Sequence, residues 1–493
     1  EFRRVLFRSD DDYDDNPPVV IDGSPSAPDQ NGDGGVGGAN GPTPINGTVQ
    51  IVAGRVTTLE PQGDDIAALK VVSGLNHGNV SVNPDGTFAV VLTLSDSTAD
   101  QSFTYEATHS NGSTSTHKVN LDVVNGSQQD GWATGSSHYM LATDENDAVV
   151  VEAGDNHTKI HVSGSNKALS INDIAQMEGV SINQVNGAFM EARGYGQSED
   201  LAVDLAAGKQ IWGAVAPNGS STSTWLLMER GYTYSDIDGM INNNNGESEM
   251  HPLFVGAWGT GDKPVVREEF TLAGNSSKNL VIQDIQFKGS VRIIEAENVI
   301  FDDISVLDDG MMIWKSESVT VRNSDFVDIS REASKDGGGW DAGPDRVSGL
   351  FANFSDGVLL EDNLLDHNGW SDGYDPAGSA GSPQPPSQFS HNIYVGWETS
   401  DLTVRDTISM QASSYGLQVR PGGFFEDNAL IDNNIGLNNV GGDYQGAGHI
   451  GHYSLFNGNL VTSAGYKEAD EKIGAISRGL IDNGKMSTLV DNI

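Results

Sequence analysis

Short runs of aliphatic residues followed by an acid or Asn recur between residues 279 and 460. Each run is too short for a helix, and strands of this length cannot bury a face alone, so the copies must stack on one another. The copies begin about 20 residues apart, or about twice that where an insertion intervenes. The pattern predicts a solenoid of parallel strands. Its copies are NVIFDD (298–303), SVTVRN (318–323), GVLLEDN (357–363), DLTVRD (401–406), GFFEDN (423–428) and LFNGN (455–459).

Three polar, Gly-rich insertions interrupt the repeat at 331–348, 368–390 and 438–449. Each begins at a similar distance after its strand, so we expect all three at one corner of the solenoid, on coils about 4.8 Å apart. They would form a wall over the strands HNIYV (391–395) and YGLQVRPGG (415–423), which become the floor of a cleft. Loops on a rigid scaffold commonly carry binding and catalysis.

Alternating apolar and polar residues from 46 to 125 predict a separate small β-sandwich with a hairpin turn at Asp85-Gly86. The stretch HGNVSVNPDGTF and the later SFTYEAT resemble the cadherin-like, immunoglobulin-like repeats of large exported bacterial proteins. This resemblance implies a spacer or adhesion module without catalytic residues. Residues 1–45 are interpreted as an artefactual basic start and a disordered acidic linker rich in Gly and Pro.

One stretch of the linker matches the start of a calcium-binding loop, at Asp29, Asn31, Asp33 and Gly34. Asn40 stands where that loop requires a bidentate Glu, so a solvated linker is the favoured interpretation. The sequence therefore indicates calcium as a candidate cofactor and does not establish it.

The second domain is assigned to residues 137–493. Within it ALSINDIAQMEGV (168–180) predicts a short helix, capped by Ser170 or Asn172, that closes the end of the solenoid. WLLMERGYTY and PLFVGAWGTGDKPVV resemble the first coils of the pectate lyase-like superfamily. The resemblance implies an all-β, right-handed parallel β-helix, but its members include lyases, hydrolases, epimerases, tailspikes and adhesins. The final STLVDNI has the pattern of a further coil, so we expect the solenoid to be truncated there.

Charge narrows the range of partners. The net charge is −42, with 69 acidic and 27 basic residues, and without a basic stripe this disfavours nucleic acid. The acidic composition suits an exported protein of a marine bacterium. The absence of cysteine leaves the compartment open. We expect a monomer that is secreted or at the cell surface, without a transmembrane segment.

Asn residues recur at the turn after each repeat, and a buried amide ladder explains them without any catalytic role. The ladder is predicted to contain Asn323, Asn363, Asn428, Asn459 and Asn492. Aliphatic and aromatic residues within the repeats are assigned to the core, namely Val319, Val321, Leu360, Val404 and Phe425.

The floor strands carry the candidates for chemistry. Alternation predicts Tyr394, Gln418 and Arg420 on the outer surface, with His391 and Tyr415 joining them if the chain bends where each strand starts. Each residue alone is equally well explained as a turn cap or an ion pair, but the cluster favours a site. Further candidates for substrate binding are Lys315, Trp340, His367 beside Asp366, Trp370, His449 and His452.

The resemblance suggests a lyase acting on an acidic, uronate-containing polysaccharide. In this hypothesis Arg420, with Lys315, neutralises the sugar carboxylate, His391 removes the C5 proton, and Tyr415 or Tyr394 protonates the leaving oxygen. One alternative is a glycoside hydrolase that uses paired loop carboxylates, although these residues could also bind calcium and solvated loop charge is the favoured explanation. They are Asp336, Asp341, Asp345, Asp372 and Asp375. A glycan-binding adhesin without catalytic activity is the other alternative.

Overall fold

The N-terminal strands form two four-stranded sheets packed face to face. The computed structural model describes residues 43–493 except 46, 53–55, 64, 76–78, 83–85, 92–100, 125–137, 145, 243, 275–276, 331–346, 371–388, 397, 440–452, 463–477 and 483–485. One sheet contains Thr43–Pro44, Val56–Glu60, Phe88–Val91 and Asn79–Val82. The other contains Thr48–Val52, Thr114–Val124, Gln101–His109 and Ile66–Ser73. The predicted sandwich is confirmed.

Aromatic packing holds this sandwich together. The Phe88 ring lies between Phe103 and Tyr105, with centroid distances of 5.4 Å and 4.7 Å. Alternate residues of Gln101–His109 are buried, as expected for a strand with one face on the core. The strands on either side of Asp85-Gly86 pair in antiparallel fashion, from Val82 opposite Phe88 to Asn79 opposite Val91, which confirms the predicted hairpin.

Three long sheets follow, and every strand pair within them is parallel. Sheet 1 contains Lys159–Val162, Trp225–Glu229, Leu253–Trp258, Lys278–Gln283, Glu297–Asp302, Glu317–Arg322, Asp356–Glu361, Ser400–Arg405, Gly423–Glu426, Tyr453–Asn457 and Met486–Val490. Sheet 2 contains Thr233–Tyr234, Val265–Val266, Gln286–Phe287, Ser305–Val306, Asp325–Val327, Leu364–Asp366, Ile408–Met410, Ala429–Ile431 and Leu460–Thr462. Sheet 3 contains Phe270–Ala273, Val291–Ile294, Met311–Trp314, Leu350–Asn353, Ile393–Val395, Tyr415–Val419, Ile435–Asn439 and Arg478–Asp482.

The chain visits the three sheets in turn, which makes one coil of a parallel β-helix. All copies of the repeated phrase lie in sheet 1, and their aliphatic residues are register partners from Val299 to Val319, Val358 and Leu402. These side chains are fully buried in one core that runs through the solenoid. The predicted fold class is confirmed because each short strand buries its apolar face only by stacking on the coil before it.

In the described part of the chain, four helices precede the first regular coils: α1 Ile171–Glu178, α2 Gly187–Glu191, α3 Leu205–Val215 and α4 Asp238–Ile241, with 3-10 turns at Ile182–Gln184 and Glu199–Leu201. Ser170 caps α1 through the backbone N–H of Asp173, as predicted. Residues of α1, α2 and α3 join the core beside the first strand of sheet 1, so they cover the N-terminal end of the solenoid. Among the described residues, the helices lack the length and apolar character that a membrane span requires.

The Asn ladder lies at the turn from sheet 1 to sheet 2. The buried Nδ2 of Asn363 donates to the Val321 carbonyl, and Asn428, Asn459 and Asn492 make the equivalent bond. The prediction was wrong for Asn323, because Ser324 occupies the ladder position in that coil. Asn323 adopts a left-handed conformation one residue earlier, with φ 50°, and bonds to Asp302 and Asp147.

The prediction of a single corner for the three insertions was also wrong. The first two connect sheet 2 to sheet 3, since they run from Val327 to Leu350 and from Asp366 to Ile393. The third connects sheet 3 to sheet 1, after Asn439. Counting from the sheet 1 strand hid this difference, because each coil contains three strands. The ends of the insertions therefore flank sheet 3 on both edges.

Residues 138–151 cross the outer face of sheet 1, and we call them the strap. The His138 ring bonds to Thr403 at 3.0 Å, Thr320 donates to the Tyr139 carbonyl at 2.7 Å, and the Val149 N–H donates to Asp302 at 2.9 Å. The strap therefore contacts successive coils of one sheet.

Candidate functional site

Two rows of side chains point outward from sheet 3, and alternate residues between them are buried in the core. Strand register places Arg292, Met312, Phe351, Tyr394, Gln418 and Asn438 in the first row. The second row contains Trp314 and Asn353, and Gly396 and Arg420 continue it on the next two coils. The predicted outward direction of Tyr394, Gln418 and Arg420 is confirmed. Both rows run along the solenoid axis.

The predicted floor residues come together on two adjacent coils. The His391 ring lies between two tyrosines, with centroid distances of 5.2 Å to Tyr394 and 4.9 Å to Tyr415. The Arg420 guanidinium lies 5.8 Å from the centre of the Tyr394 ring, within the range of a cation–π contact. His391 precedes the strand that starts at Ile393, which provides the bend required to bring it to this surface.

We call His391, Tyr394, Tyr415, Gln418 and Arg420 the floor cluster, and these side chains differ in burial. His391 is 1% exposed, while Tyr394, Gln418 and Arg420 are between 6% and 7% exposed. Tyr415 is half-buried and is the most exposed residue of the cluster. Gln418 Oε1 and Asn438 Oδ1, neighbours in the first row, are buried without a hydrogen-bond donor in the described part of the chain. They are acceptors that a hydroxyl group could satisfy.

Lys315 does not join the floor cluster. It follows Trp314 on a coil three strand spacings before that of Arg420, a separation of about 14 Å. Its ammonium lies 3.9 Å from the Glu295 carboxylate, and its side chain is 54% exposed. The hypothesis that Lys315 and Arg420 neutralise the same sugar carboxylate was therefore wrong.

His367 and Trp370 lie at the corner between sheets 2 and 3. The His367 ring bonds to Asp328 at 2.8 Å and stacks on Trp370 with 5.7 Å between centroids. Trp370 is 2% exposed, and its indole N–H donates to the Gln411 carbonyl. Burial raises the pKa of the neighbouring Asp366, His367 lowers it, and Asp328 raises it further. A role of His367 or Trp370 in binding stays a prediction.

Several candidates lie outside the described residues: Trp340, His449, His452 and the loop carboxylates Asp336, Asp341, Asp345, Asp372 and Asp375. The candidate calcium loop from Asp29 to Asn40 lies outside them as well. Within the described ranges, His, Asp and Glu side chains form no cluster that could hold a metal ion.

Sequence reasoning missed a run of rings on the same face. Trp314 lies 4.6 Å from Phe354 and 6.2 Å from Phe351, and Phe351 lies 5.3 Å from Tyr394, between ring centroids. The signal was present in MMIWK and LFANF, where aromatic residues alternate with core positions. Without the register of sheet 3, these rings could not be distinguished from core residues.

Comparison with known proteins identifies the N-terminal domain. Residues 25–122 match the Bacterial Ig domain family. This agrees with the immunoglobulin-like resemblance and with the sandwich described above. No curated protein matches the chain.

Among solved structures, two that align with the chain are catalytic domains of GH87 alpha-1,3-glucanase in complex with nigerose. One is 11% identical and covers 89% of this chain and 86% of that chain, with a TM-score of 0.23. The other is 10% identical and covers 89% of each chain, with a TM-score of 0.22.

Proposed function

We propose that this chain is an exported carbohydrate-active enzyme that binds an acidic glycan on the outer face of sheet 3 and cleaves it by β-elimination. The convergence of Arg420, His391, Tyr394 and Tyr415 on adjacent coils carries the proposal. Proton abstraction beside a carboxylate requires a fixed positive charge, a group that titrates near neutral pH and a proton donor.

Each group has a role in this reaction. The Arg420 guanidinium neutralises the uronate carboxylate, which makes the C5 proton more acidic. His391 takes that proton, the C4–C5 double bond forms, and the C4–O4 bond breaks as a tyrosine gives its phenolic proton to O4. We assign the acid to Tyr415 because Tyr415 is half-buried whereas Tyr394 is 6% exposed.

The burial of His391 adds a requirement. Since two phenol rings cover it and leave 1% exposed, it can reach a sugar only when one ring turns aside. Tyr415 is the ring we expect to move, because side-chain rotamer changes are common on binding and Tyr415 is the less buried of the two.

Net charge opposes this substrate, and salt reduces the effect. A chain of charge −42 repels a polyuronate at long range. At the ionic strength of seawater, screening shortens that repulsion to a few ångströms. The local positive charge of Arg420 then decides binding.

A hydrolase is the second candidate, and the ends of the insertions favour it. Both 331–348 and 368–390 enter sheet 3 at the edge beside the floor cluster. They contain the carboxylates that an acid and base pair would require, including Asp336, Asp341 and Asp372.

A product assay tests both candidates. The full chain is incubated with alginate, pectate, glucuronan, ulvan and a neutral glucan, while ultraviolet absorbance and reducing ends are followed. Absorbance from an unsaturated sugar supports elimination, and reducing ends alone support hydrolysis. Polymer binding without either product would overturn the enzyme proposal and leave a glycan-binding adhesin.

A further inference from the structure

The second outward row of sheet 3 extends beyond the floor cluster. Trp314 lies in the same row as Arg420, three strand spacings or about 14 Å away. The rings of Phe351 and Tyr394 bridge that distance along the first row. Aromatic rings therefore line one continuous strip of the face.

The residues of the second row are small between its two ends. Asn353 and Gly396 separate Trp314 from Arg420, and a Cβ at Gly396 would lie 2.3 Å from the Asn353 side chain. Glycine is thus required for Asn353 to lie across the row, where its Nδ2 donates to Glu398 at 2.8 Å. Asn353 is 2% exposed and Gly396 is buried, so the row has a bulky ring at one end and a guanidinium at the other with only these two small residues between them.

Phe354 is an unusual residue for its position. It adopts φ 53°, a left-handed conformation that is costly for a bulky side chain, and it is 41% exposed. Lys315 and Glu295 have the same conformation at this corner, so the corner imposes it, and Gly would satisfy it at lower cost. An exposed phenylalanine at a strained position makes its ring a candidate for contact with a ligand.

We propose that Trp314 and Phe354 form a sugar-stacking subsite, and that the glycan runs along the solenoid axis from there to Arg420. The C–H face of a pyranose stacks on an indole, and ligand sites combine such apolar surfaces with a few polar groups. Lys315, 54% exposed beside Trp314, is positioned to meet an acidic group on the same sugar. The ligand is an oligosaccharide, because about 14 Å between Trp314 and Arg420 is longer than a single sugar ring. The position of the cleaved bond rests on the proposed function, whereas binding at Trp314 does not.

The test compares Trp314→Ala with a matched control. Trp225→Ala removes a tryptophan that also meets a phenylalanine edge to face, at 5.7 Å, but in sheet 1. Trp314→Ala should raise KM for the polymer about tenfold, the upper range for one aromatic contact, with kcat unchanged. Trp225→Ala should leave KM within about twofold. The shortest cleavable oligosaccharide should be less affected than the polymer, because it does not reach Trp314.

Phe354→Gly is a second variant. Because the Phe354 ring is exposed, its removal does not require the core to tolerate a cavity. The variant removes the exposed ring and relieves the left-handed strain, so polymer binding should weaken while the thermal unfolding midpoint stays equal or rises. A variant that loses binding and stability together would assign Phe354 a structural role only.

The outcomes separate this inference from the proposed function. Equal KM values for Trp314→Ala and Trp225→Ala overturn the subsite even if elimination is observed. If none of the polymers is cleaved, affinity electrophoresis in gels containing each polymer replaces KM. Retention that depends on Trp314 then supports the subsite and removes the reaction. Retention independent of Trp314, or none in any gel, removes the subsite.

Discussion

The outer faces of sheets 1 and 3 belong to the same coils but are used differently. Sheet 1 has a row of outward residues, one per coil, whose charge alternates from each coil to the next. The row contains Asp302, Arg322, Glu361, Arg405 and Glu426. Arg322 Nε lies 3.2 Å from Glu361, and Arg405 Nε donates to the same carboxylate at 2.6 Å. The charges of this row satisfy one another, so the sheet 1 face needs no ligand.

The strap covers the outer face of sheet 1 and bonds to this row of charges. Arg322 also bonds to Asp147 of the strap at 2.7 Å, and Asp302 accepts the Val149 N–H. Burial raises the pKa of Asp302, although these bonds and the charge of Arg322 act in the opposite direction. Burial also acts to raise the pKa of Asp147, but the effect of Arg322 is in the opposite direction and the pKa of Asp147 is lowered. Sheet 1 is therefore closed by the chain itself.

Sheet 3 has the opposite composition. Its described rows combine aromatic rings with two buried acceptors, Gln418 Oε1 and Asn438 Oδ1, that have no donor in the described part of the chain. The described ends of the insertions lie at both edges of sheet 3, whereas a segment of the chain lies across sheet 1. Stacking of coils requires only the inward residues, so each outer face is free to be specialised.

The largest change in kcat is expected from substitution of Arg420 in sheet 3, and Arg322 in sheet 1 is the buried arginine with which it is compared. Arg322 is 6% exposed and Arg420 is 7% exposed, so burial alone does not distinguish them. Arg420→Ala should lower kcat about 100- to 1000-fold, as loss of a transition-state charge contact does, with a smaller change in KM. Arg322→Ala, assayed below its unfolding temperature, should keep kcat within about threefold. Similar losses of kcat in both variants would remove the distinction between the faces.

The sequence predicted the fold because the repeat is a direct consequence of stacking. Val299, Val319 and Val358 recur at one position since each must fill the same layer of the core. The outward direction of Tyr394 and Arg420 followed from alternation within short strands. These features are local and periodic, and such patterns are visible in one sequence.

The errors arose where position within the coil mattered. Asn323 was assigned to the ladder because Asn suits both a buried turn and a left-handed residue, and only the bond from Ser324 to Asn363 distinguishes them. The third insertion was placed at the wrong corner because strands of two to five residues in sheets 2 and 3 give little signal. Trp314 was missed for the same reason.

The next prediction concerns stability. Arg322→Ala should destabilise the β-helix by about 3 kcal/mol, because removing one member of a buried charge network leaves Asp302 and Glu361 with fewer partners. Lys209→Ala is the matched control, since its ion pair with Asp236 is largely exposed and should contribute less than about 1 kcal/mol. Denaturant midpoints measure both. A midpoint of Arg322→Ala that equals that of Lys209→Ala would mean that the row on sheet 1 contributes no stability.

The smallest effect concerns the strap and depends on pH. Burial is the main cause that lowers the pKa of His138 to about 3, with Arg405 contributing and a bond to the Gly357 carbonyl opposing. The ordinary value is near 6.5, so as pH falls below 6.5 the unfolded chain binds a proton that the folded chain does not. This contribution to stability is complete above pH 6.5 and is lost as pH falls toward 3, at up to about 1.4 kcal/mol per pH unit.

His138→Gln should remove that dependence while keeping a hydrogen-bonding partner for Thr403. Unfolding midpoints of wild type and variant are compared at pH 7.5, 6.0 and 5.0. The advantage of wild type should shrink as pH falls, and taking the difference between the two proteins cancels common contributions from Asp147, Asp302 and Glu426. Proteolysis should become faster at 138–151 in wild type at pH 5.0, because protonation favours the strap leaving sheet 1. A difference in midpoint that is constant across pH would show that the folded and unfolded chains bind the same number of protons at His138. Burial under the strap would then not lower the pKa of His138, and the covering of sheet 1 would not depend on its protonation.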